Sequence, residues 1–259
     1  MKQEERRRFL IEELLREQPC CRSQQIPADA DHQKVLLRSL LNVRRPEAVS
    51  PEFLEVQDAY LQEELAAKGI TRLSDLRPVQ EGIYLWRGDI TTLKCGAIVN
   101  AANSGMTGCY QPCHHCIDNC IHTYAGVQLR LKCAEIMARQ GFEEPVGQAK
   151  ITPAYNLPCD YVIHTVGPAV HGKLTRQHCE LLESCYRSCL SLADEKQVSS
   201  MAFCCISTGV FRFPNDRAAE IAVRTVQEYK AETESKIKVI FNVFKEQDEQ
   251  IYRKLLRAD

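Results

Sequence analysis

From Gly82 onward, apolar segments of strand type alternate with longer amphipathic segments of helix type, and this order most constrains the fold. The strand-like segments read GIYLWRGDI, GAIVNAAN, QAKITPAY, YVIHTVGP, SSMAFCCIST and KIKVIFNVF. Helical patterns occupy residues 118–140, 175–196, 215–232 and 246–258, and we expect Asn215 or Asp216 to cap the third of them. The alternation predicts an α/β fold, a three-layer α/β/α sandwich around a mixed sheet.

Residues 1–78 have a different texture and read as three helices, EERRRFLIEELLRE, DHQKVLLRSLLNVR and PEFLEVQDAYLQEELAAKG. Pro51 near the start and Gly69 after the end of the third segment are typical helix boundary residues. We therefore divide the chain into an N-terminal helical extension, residues 1–78, and an α/β domain, residues 79–259. A disordered first helix is the alternative. No cluster of residues in the extension suggests chemistry.

Charge and hydropathy exclude several classes of partner. The 259 residues carry a formal net charge of -1, with a pI near 6.7, so there is no bulk basic field for a nucleic-acid backbone or an anionic membrane. The N-terminus lacks the apolar core of a signal peptide, and no later run is long and uncharged enough to span a bilayer. We expect a cytoplasmic monomer that binds neither nucleic acid nor membrane.

The chain contains 14 cysteines, and without a secretion signal we expect reduced thiols rather than a disulfide framework. Cys204 and Cys205 lie in a strand-like segment, whereas Cys179, Cys185 and Cys189 lie in a helical pattern. We interpret these five as packing residues.

Three loops at strand ends carry unusual sequences: RGDIT at 87–91, IVNAANSGM at 98–106 and CISTGVFRFP at 205–214. Ligands of open α/β sheets bind outside the carboxyl ends of the strands, so these loops are where function is expected. With these motifs in this order, the chain from Gly82 to its C-terminus resembles a macrodomain, the ADP-ribose-binding α/β/α fold. The cysteine-rich segment that follows VNAAN resembles that of the zinc-containing, ADP-ribosyl-hydrolysing branch.

The resemblance implies roles for the first two loops. Asp89 would accept a hydrogen bond from the adenine amino group, with Ile90 beside the base, because a carboxylate is an acceptor for an exocyclic amine. The alternative is that Asp89 caps a turn or helix. Asn100 and Asn103 would bind the substrate, with Asn103 bonded to the distal ribose, although an asparagine pair in a loop is more often turn chemistry.

The third loop, STGVF, offers successive backbone N–H groups around a glycine, an arrangement typical of anion-binding concavities. Such a loop would hold a diphosphate without a lysine or arginine, as a near-neutral protein requires. The resemblance implies that the diphosphate and distal ribose are lined by Ser207, Thr208, Gly209, Val210 and Phe211. The alternative for Phe211 is an ordinary core aromatic.

The segment GCYQPCHHCIDNCIH, residues 108–122, places four cysteines and three histidines in one stretch. Thiolate and neutral imidazole are the ligands that Zn²⁺ prefers, and close spacing lets them converge at little loop-closure cost. The resemblance to the zinc branch selects Cys109, His114 and Cys116 as ligands. Cys113 and His115 are the spare candidates.

Three protein ligands leave a fourth position open, which is the usual arrangement of catalytic zinc. The alternative is a closed site that only stabilises the loop, with Cys113 or Cys120 as a fourth ligand; otherwise we expect Cys120 to be a packing residue on the following helix.

Asp118 begins that helix, where the N-terminal dipole favours a carboxylate, so a helix cap is the plain interpretation. The resemblance implies a catalytic role, in which Asp118 faces the distal ribose with Asn103 and positions the sugar or the attacking water. Asn119 would assist. His122 lies one turn later on the same face and is as well explained by packing.

Together these features predict a zinc-dependent hydrolase that removes ADP-ribose from mono-ADP-ribosylated protein side chains by cleavage at the distal ribose C1″. The main alternative is a reader module that binds ADP-ribose without cleaving it. A zinc-stabilised nucleic-acid-binding protein is disfavoured, because acidic and basic residues nearly balance and no stripe of stacking aromatics appears.

Overall fold

The computed structural model describes residues 1–18 and 24–258. The helices are α1 (Gln3–Glu17), α2 (Ala30–Val43), α3 (Pro51–Lys68), α4 (Ile117–Ala125), α5 (Val127–Gln140), α6 (Arg176–Glu195), α7 (Asn215–Thr233) and α8 (Glu246–Leu256). The strands are β1 (Thr71–Arg72), β2 (Pro78–Gln80), β3 (Ile83–Arg87), β4 (Leu93–Lys94), β5 (Ala97–Ala102), β6 (Ala149–Pro153), β7 (Tyr161–Val166), β8 (Ser200–Phe203) and β9 (Lys238–Val243). Residues 19–23 of the predicted extension and Asp259 of the predicted α/β domain lie outside the described residues.

One mixed sheet of seven strands dominates the described part of the chain, in the order β2-β3-β9-β8-β5-β7-β6. The central strands, from β3 to β7 in this order, are mutually parallel, and β2 and β6 join the two edges antiparallel. Parallel strands are covered on both faces, which explains why β5 and β8 read as nearly continuous apolar runs. The predicted α/β/α sandwich with a mixed sheet is confirmed.

The helices of the α/β domain form two groups around this sheet. Helix α7 packs between α6 and α8, while α4 packs on α5 and on β5, and α5 also contacts β6. Their buried side chains join those of the central strands in one continuous hydrophobic core. The carboxyl ends of the parallel strands are thereby fixed at one edge, where the motif-bearing loops emerge.

The single helix predicted over 118–140 is divided into α4 and α5 at Gly126. This glycine has φ 95°, which residues with a side chain rarely adopt. A Cβ there would also lie 2.6 Å from Gln57 Nε2 of α3. The break therefore lets α3 approach the α4–α5 junction closely.

The start of α7 also differs from the prediction, because neither Asn215 nor Asp216 is its N-cap. Pro214 occupies the N-cap position and has no side-chain acceptor. Asn215 is already helical, and its Nδ2 donates a hydrogen bond to Asp248 Oδ1 of α8 instead. Asp216 lies in the first turn, where its charge still favours the helix dipole.

The N-terminal helices form a small bundle with a core of its own. Leu10, Ile11 and Leu14 of α1 are fully buried against α2 and α3, so the alternative of a disordered first helix is not what the structure shows. Helix α3 begins at Pro51 behind the cap Ser50, whose Oγ accepts a hydrogen bond from Phe53 N at 3.1 Å.

Buried polar contacts join this bundle to the α/β domain. Arg130 of α5 donates hydrogen bonds to three backbone carbonyls at the C-terminal end of α2, those of Leu41 (3.2 Å), Asn42 (2.8 Å) and Arg44 (2.6 Å). A cation bonded to the last carbonyls of a helix also complements its dipole. The extension is thus anchored beside α4, the helix that follows the cysteine-rich loop.

The cysteines of the described residues are all free thiols. Cys185, Cys189 and Cys204 are buried in the core as predicted, and Cys179 and Cys205 are half-buried against it. No helix in residues 1–18 and 24–258 combines the length and apolar character needed to cross a membrane.

Candidate active site

The candidate site lies at the carboxyl ends of four neighbouring strands, β3, β9, β8 and β5. Each of the motif-bearing loops leaves one of these strands: residues 88–92 follow β3, residues 103–116 follow β5 and residues 204–214 follow β8. Because parallel strands place their carboxyl ends at one edge, loops that are far apart in sequence meet there. The position matches the expectation from the sequence.

Asp89 does cap a turn, as the alternative held. Its Oδ1 accepts hydrogen bonds from Thr91 N (3.0 Å) and Thr91 Oγ1 (2.6 Å), at the start of the 3₁₀ turn Ile90–Thr92. Its Oδ2 accepts a hydrogen bond from Lys68 Nζ of α3 at 3.4 Å, and 41% of the Asp89 side chain is exposed. The turn uses only Oδ1 of the carboxylate, so Oδ2 keeps acceptor capacity for a ligand. The contact with adenine stays a prediction. The side chain of Ile90 is buried in the core, so its predicted place beside the base stays a prediction.

Asn100, Asn103 and Asp118 come together beneath the cysteine-rich loop. Asn100 Nδ2 donates to Asp118 Oδ1 at 2.8 Å, and Asn103 Nδ2 donates to Asp118 Oδ2 at 3.3 Å. Asn100 is fully buried and so contacts the site through Asp118, whereas Asn103 is half-buried and also bonds Gly108 O at 3.1 Å. The two amides fix both carboxylate oxygens of Asp118.

The buried environment of Asp118 disfavours the charged form of its carboxyl group. Only 4% of the residue is exposed, and burial raises the pKa of its carboxyl to about 6, while the hydrogen bond from Asn100 and the charge of Arg130 act in the opposite direction. Perturbed carboxyl groups of this kind cluster at functional sites. Cys116 and not Asp118 is the N-cap of α4, and Asp118 lies in the first turn, so its predicted catalytic role stays a prediction.

The loop after β8 has the form of an anion-binding concavity. Ser207 has a φ of 66°, and Phe213 N bonds back to Ser207 O at 3.0 Å to close the loop. Within the described residues, no hydrogen bond engages the N–H groups of Gly209, Val210 or Phe211. Free amides in such a turn are suited to a diphosphate. Val210 is 69% exposed and Phe211 is half-buried, so Phe211 is not a core aromatic.

Cys109, His114 and Cys116 converge as the resemblance implied. Cys109 Sγ lies 3.6 Å from His114 Nδ1, and the ligand atoms of all three lie within 4.8 Å of one another. Tetrahedral zinc, with bonds of about 2.3 Å to sulfur and about 2.0 Å to nitrogen, separates such a pair by roughly 3.5 Å. The donor set and its spacing both fit a zinc ion.

The spare candidates point elsewhere. Cys113 Sγ lies 3.1 Å from Ser39 Oγ of α2, and Cys120 Sγ accepts a hydrogen bond from Arg38 at 3.5 Å. His115 is exposed. Among the described residues, the converging ligand set at this loop consists of the three predicted residues, so the geometry favours an open three-ligand site over the closed alternative.

The start of α4 supports the ligand loop. Cys116 is the N-cap of the helix, and its Sγ accepts a hydrogen bond from Asn119 N at 3.4 Å, where the helix dipole favours a thiolate. Burial raises the pKa of Cys116 to about 12, so a metal ion would displace its proton on binding. Asn119 is fully buried, and its Nδ2 donates to Gln111 O (3.0 Å) and Cys109 O (3.4 Å).

His122 is a buried support rather than an exposed participant. Its Nε2 lies 3.6 Å from Asp118 Oδ1, and its ring lies directly under Gly108, where a Cβ would come within 2.7 Å of the ring carbon Cγ. Burial lowers the pKa of His122 well below its usual value, so the ring is neutral. Its contact with Gly108 fixes the backbone immediately before Cys109.

A second group of potential ligands, His122, Cys133 and His164, lies entirely in the core. Both ring nitrogens of His164 lie within hydrogen-bonding distance of a polar side chain. Nδ1 is 3.2 Å from Asn100 Nδ2, and Nε2 is 2.9 Å from Thr152 Oγ1. His164 is thereby hydrogen-bonded in the interior, whereas neither ring nitrogen of His122 has a hydrogen-bond partner among the described residues.

Sequence reasoning missed Phe244, which directly follows β9. The side chain is 79% exposed, and the backbone beside it is tied to the Asp89 loop because Gly88 N donates to Val243 O at 3.1 Å. An exposed aromatic ring at the binding edge of a sheet is a signal for base stacking. In the sequence Phe244 only ends the apolar segment KIKVIFNVF, and nothing there distinguishes it from the buried residues that precede it.

Comparison with known proteins agrees with the fold. The Macro domain family model matches residues 99–222. The protein-ADP-ribose hydrolase of Treponema medium is 64% identical over 260 residues, covering 99% of this chain and 100% of the relative. The protein of the same description from Staphylococcus aureus strain MRSA252 is 51% identical over 253 residues, covering 97% and 95%.

Solved structures give the same assignment. The Trypanosoma brucei macrodomain in complex with ADP-ribose has a TM-score of 0.64 at 31% identity, covering 84% of this chain and 94% of that one. The Oceanobacillus iheyensis macrodomain with ADP has a TM-score of 0.63 at 34% identity, covering 70% and 94%. With its three strand-end motifs, its mixed sheet and its full-length relatives, the chain belongs to the macrodomain family.

Proposed function

We propose that the protein is a zinc-dependent hydrolase that removes ADP-ribose from mono-ADP-ribosylated protein side chains by cleavage at the distal ribose C1″. The observation that carries the proposal is the convergence of Cys109, His114 and Cys116 beside a carboxylate, Asp118, that two asparagines hold. Relatives that match the chain over nearly its whole length are described as protein-ADP-ribose hydrolases, which supports hydrolysis over binding alone.

The nucleotide would be held by three loops. Oδ2 of Asp89 would accept from the adenine amino group, and the exposed ring of Phe244 would stack on the base. The free N–H groups around Gly209 would bind the diphosphate. Binding energy from these remote parts of the substrate would fix the distal ribose next to Asn103 and Asp118.

Cleavage would occur at the distal ribose. Water adds at C1″ as the bond from C1″ to the side-chain atom breaks, and the leaving side chain takes up a proton, which yields free ADP-ribose and unmodified protein. Each oxygen of Asp118 accepts one hydrogen bond from an asparagine and retains acceptor capacity for water or a sugar hydroxyl. Bound zinc would supply Lewis-acid polarisation of a ribose hydroxyl or of water.

The test is release of labelled ADP-ribose from a mono-ADP-ribosylated protein by the wild type, Cys116→Ser and Cys179→Ser. Cys179 is a half-buried cysteine of α6 outside the site and serves as the matched control. We expect Cys116→Ser to lose turnover and Cys179→Ser to retain it. Tight ADP-ribose binding without turnover by the wild type, on any linkage, would instead identify a reader module.

A further inference from the structure

Helix α2 of the extension contacts the ligand loop directly. Arg38, Ser39 and Asn42 lie on neighbouring positions of one face of this helix, and each contacts the segment 113–123. These residues come 71 to 82 positions before their partners in the chain. Sequence spacing alone does not reveal these contacts, because they join segments that are far apart in the chain.

Arg38 is connected to two of the three ligand residues. Its terminal nitrogen Nη2 donates to His114 O at 2.8 Å and to Asn119 Oδ1 at 3.0 Å. Asn119 in turn donates through Nδ2 to Cys109 O and Gln111 O. The guanidinium therefore fixes the backbone of one ligand directly and orients the amide that fixes the backbone of another.

Ser39 and Asn42 hold the middle of the same loop. Cys113 has a φ of 52°, in the left-handed region that non-glycine residues rarely adopt. Its N–H donates to Asn42 Oδ1 at 2.9 Å, and its Sγ lies 3.1 Å from Ser39 Oγ. Asn42 is itself fixed by a hydrogen bond from its Nδ2 to Thr123 Oγ1 at 2.9 Å. A residue in this unfavourable backbone conformation keeps it only where contacts with surrounding residues hold it there. Ser39 and Asn42 supply such contacts for Cys113.

We propose that Arg38 is a positioning residue for the zinc site and that the helical extension is part of the catalytic unit. The inference rests on the proposed function for the identity of the metal. Residues that orient metal ligands tune the metal site, and their substitution typically lowers metal affinity or activity about 10- to 100-fold. Arg38 acts in this way through His114 and Asn119.

The test compares Arg38→Met, which keeps the apolar stem, with Lys34→Met as a control. Lys34 lies one turn earlier on the same helix and is exposed, and its one ion pair among the described residues is with Glu64 at 3.4 Å. We expect Arg38→Met to bind zinc about 10- to 100-fold more weakly in chelator competition. Its cobalt-substituted form should show an altered visible absorption spectrum, and kcat should fall while KM stays within about twofold. Lys34→Met should match the wild type in each measurement.

Arg38→Lys separates positioning from mere packing. A lysine ammonium carries three donors and retains the charge, so this variant should recover zinc affinity to a value between those of Arg38→Met and the wild type. Zinc affinity and a cobalt spectrum equal to the wild type in Arg38→Met would overturn the proposal. So would an Arg38→Lys protein that is as impaired as Arg38→Met.

Amide hydrogen exchange of residues 109–120 in the metal-free protein distinguishes this inference from the proposed function. If the wild type binds no zinc, the metal-dependent function fails, yet Arg38→Met should still speed exchange of this loop about tenfold or more relative to Lys34→Met. Equal exchange would overturn the positioning role. Should Arg38→Met fail to fold, Ser39→Ala removes a single oxygen, and thiol labelling of Cys113 should then be faster than in the wild type. An unchanged rate would count against the proposal.

Discussion

Substitution of Gly108 by alanine tests the conformation of the ligand loop at its first residue. Gly108 has a φ of 87° and directly precedes Cys109. A Cβ at this position would lie 2.7 Å from Cγ and 2.8 Å from Cδ2 of His122, whose ring is buried. Alanine at this position therefore has an unfavourable backbone conformation and also overlaps the His122 ring. If the backbone moves to relieve either one, the sulfur of the next residue, Cys109, moves with it.

The backbone conformation and the overlap with the His122 ring each contribute to the expected loss in the free energy of unfolding. A left-handed backbone costs a residue with a side chain about 1–2 kcal/mol. Overpacking against a buried ring adds roughly 1–3 kcal/mol. Gly141 supplies the matched control, since its φ is 79° and a Cβ there has nothing within 4 Å. We expect Gly108→Ala to lower the free energy of unfolding by about 2–5 kcal/mol and Gly141→Ala by about 1–2 kcal/mol.

A double-mutant cycle with His122→Ala measures the overlap directly, with urea unfolding as the assay. Without the ring, Gly108→Ala should cost no more than Gly141→Ala, which corresponds to a coupling energy of about 1–3 kcal/mol. Zinc affinity should fall in Gly108→Ala and remain normal in Gly141→Ala. Equal costs for the two glycines, or an unchanged cost in the His122→Ala background, would refute the geometry.

Three further predictions concern the substrate. Asp118→Asn should bind ADP-ribose within a fewfold of the wild type but release labelled ADP-ribose about 10²- to 10⁴-fold more slowly in single-turnover assays, because the amide can neither transfer a proton nor position the reacting groups as the carboxylate does. Turnover within tenfold of the wild type would contradict this role. Phe244→Ala should weaken ADP-ribose binding by about 1–3 kcal/mol in calorimetric titration without changing Tm, because the ring is 79% exposed; unchanged affinity would exclude stacking. Gly209→Glu should fold normally, because a Cβ there meets open space, but it should raise the Kd for ADP-ribose more than Gly209→Gln does, since only the charged side chain repels the diphosphate. Equal Kd values for the two variants would show that the diphosphate lies elsewhere.

The features that could be predicted from sequence are those encoded locally. The alternation of apolar strands and amphipathic helices specifies the sandwich, because its period is set by local backbone geometry. Cys109, His114 and Cys116 lie within eight residues, so their convergence needs only a compact loop. The motif loops follow strand ends, and the parallel sheet brings them together without further information.

The features that escaped prediction depend on contacts between distant segments. Gly126 divides a helix because α3 approaches it, and nothing in the segment 118–140 encodes that approach. Asn119 has its amide directed at the carbonyls of Cys109 and Gln111, so in this structure it supports the loop, and its predicted catalytic role stays a prediction. Arg38 reaches the loop from α2, which sequence spacing alone does not reveal.

The central claim, that zinc held by Cys109, His114 and Cys116 is required for cleavage, is tested most directly by one preparation assayed in three states. Elemental analysis of the purified protein should give about one zinc per chain. Release of labelled ADP-ribose from a mono-ADP-ribosylated protein should disappear after complete chelation and return when zinc is added back. Full turnover by protein shown to contain no metal would contradict the account.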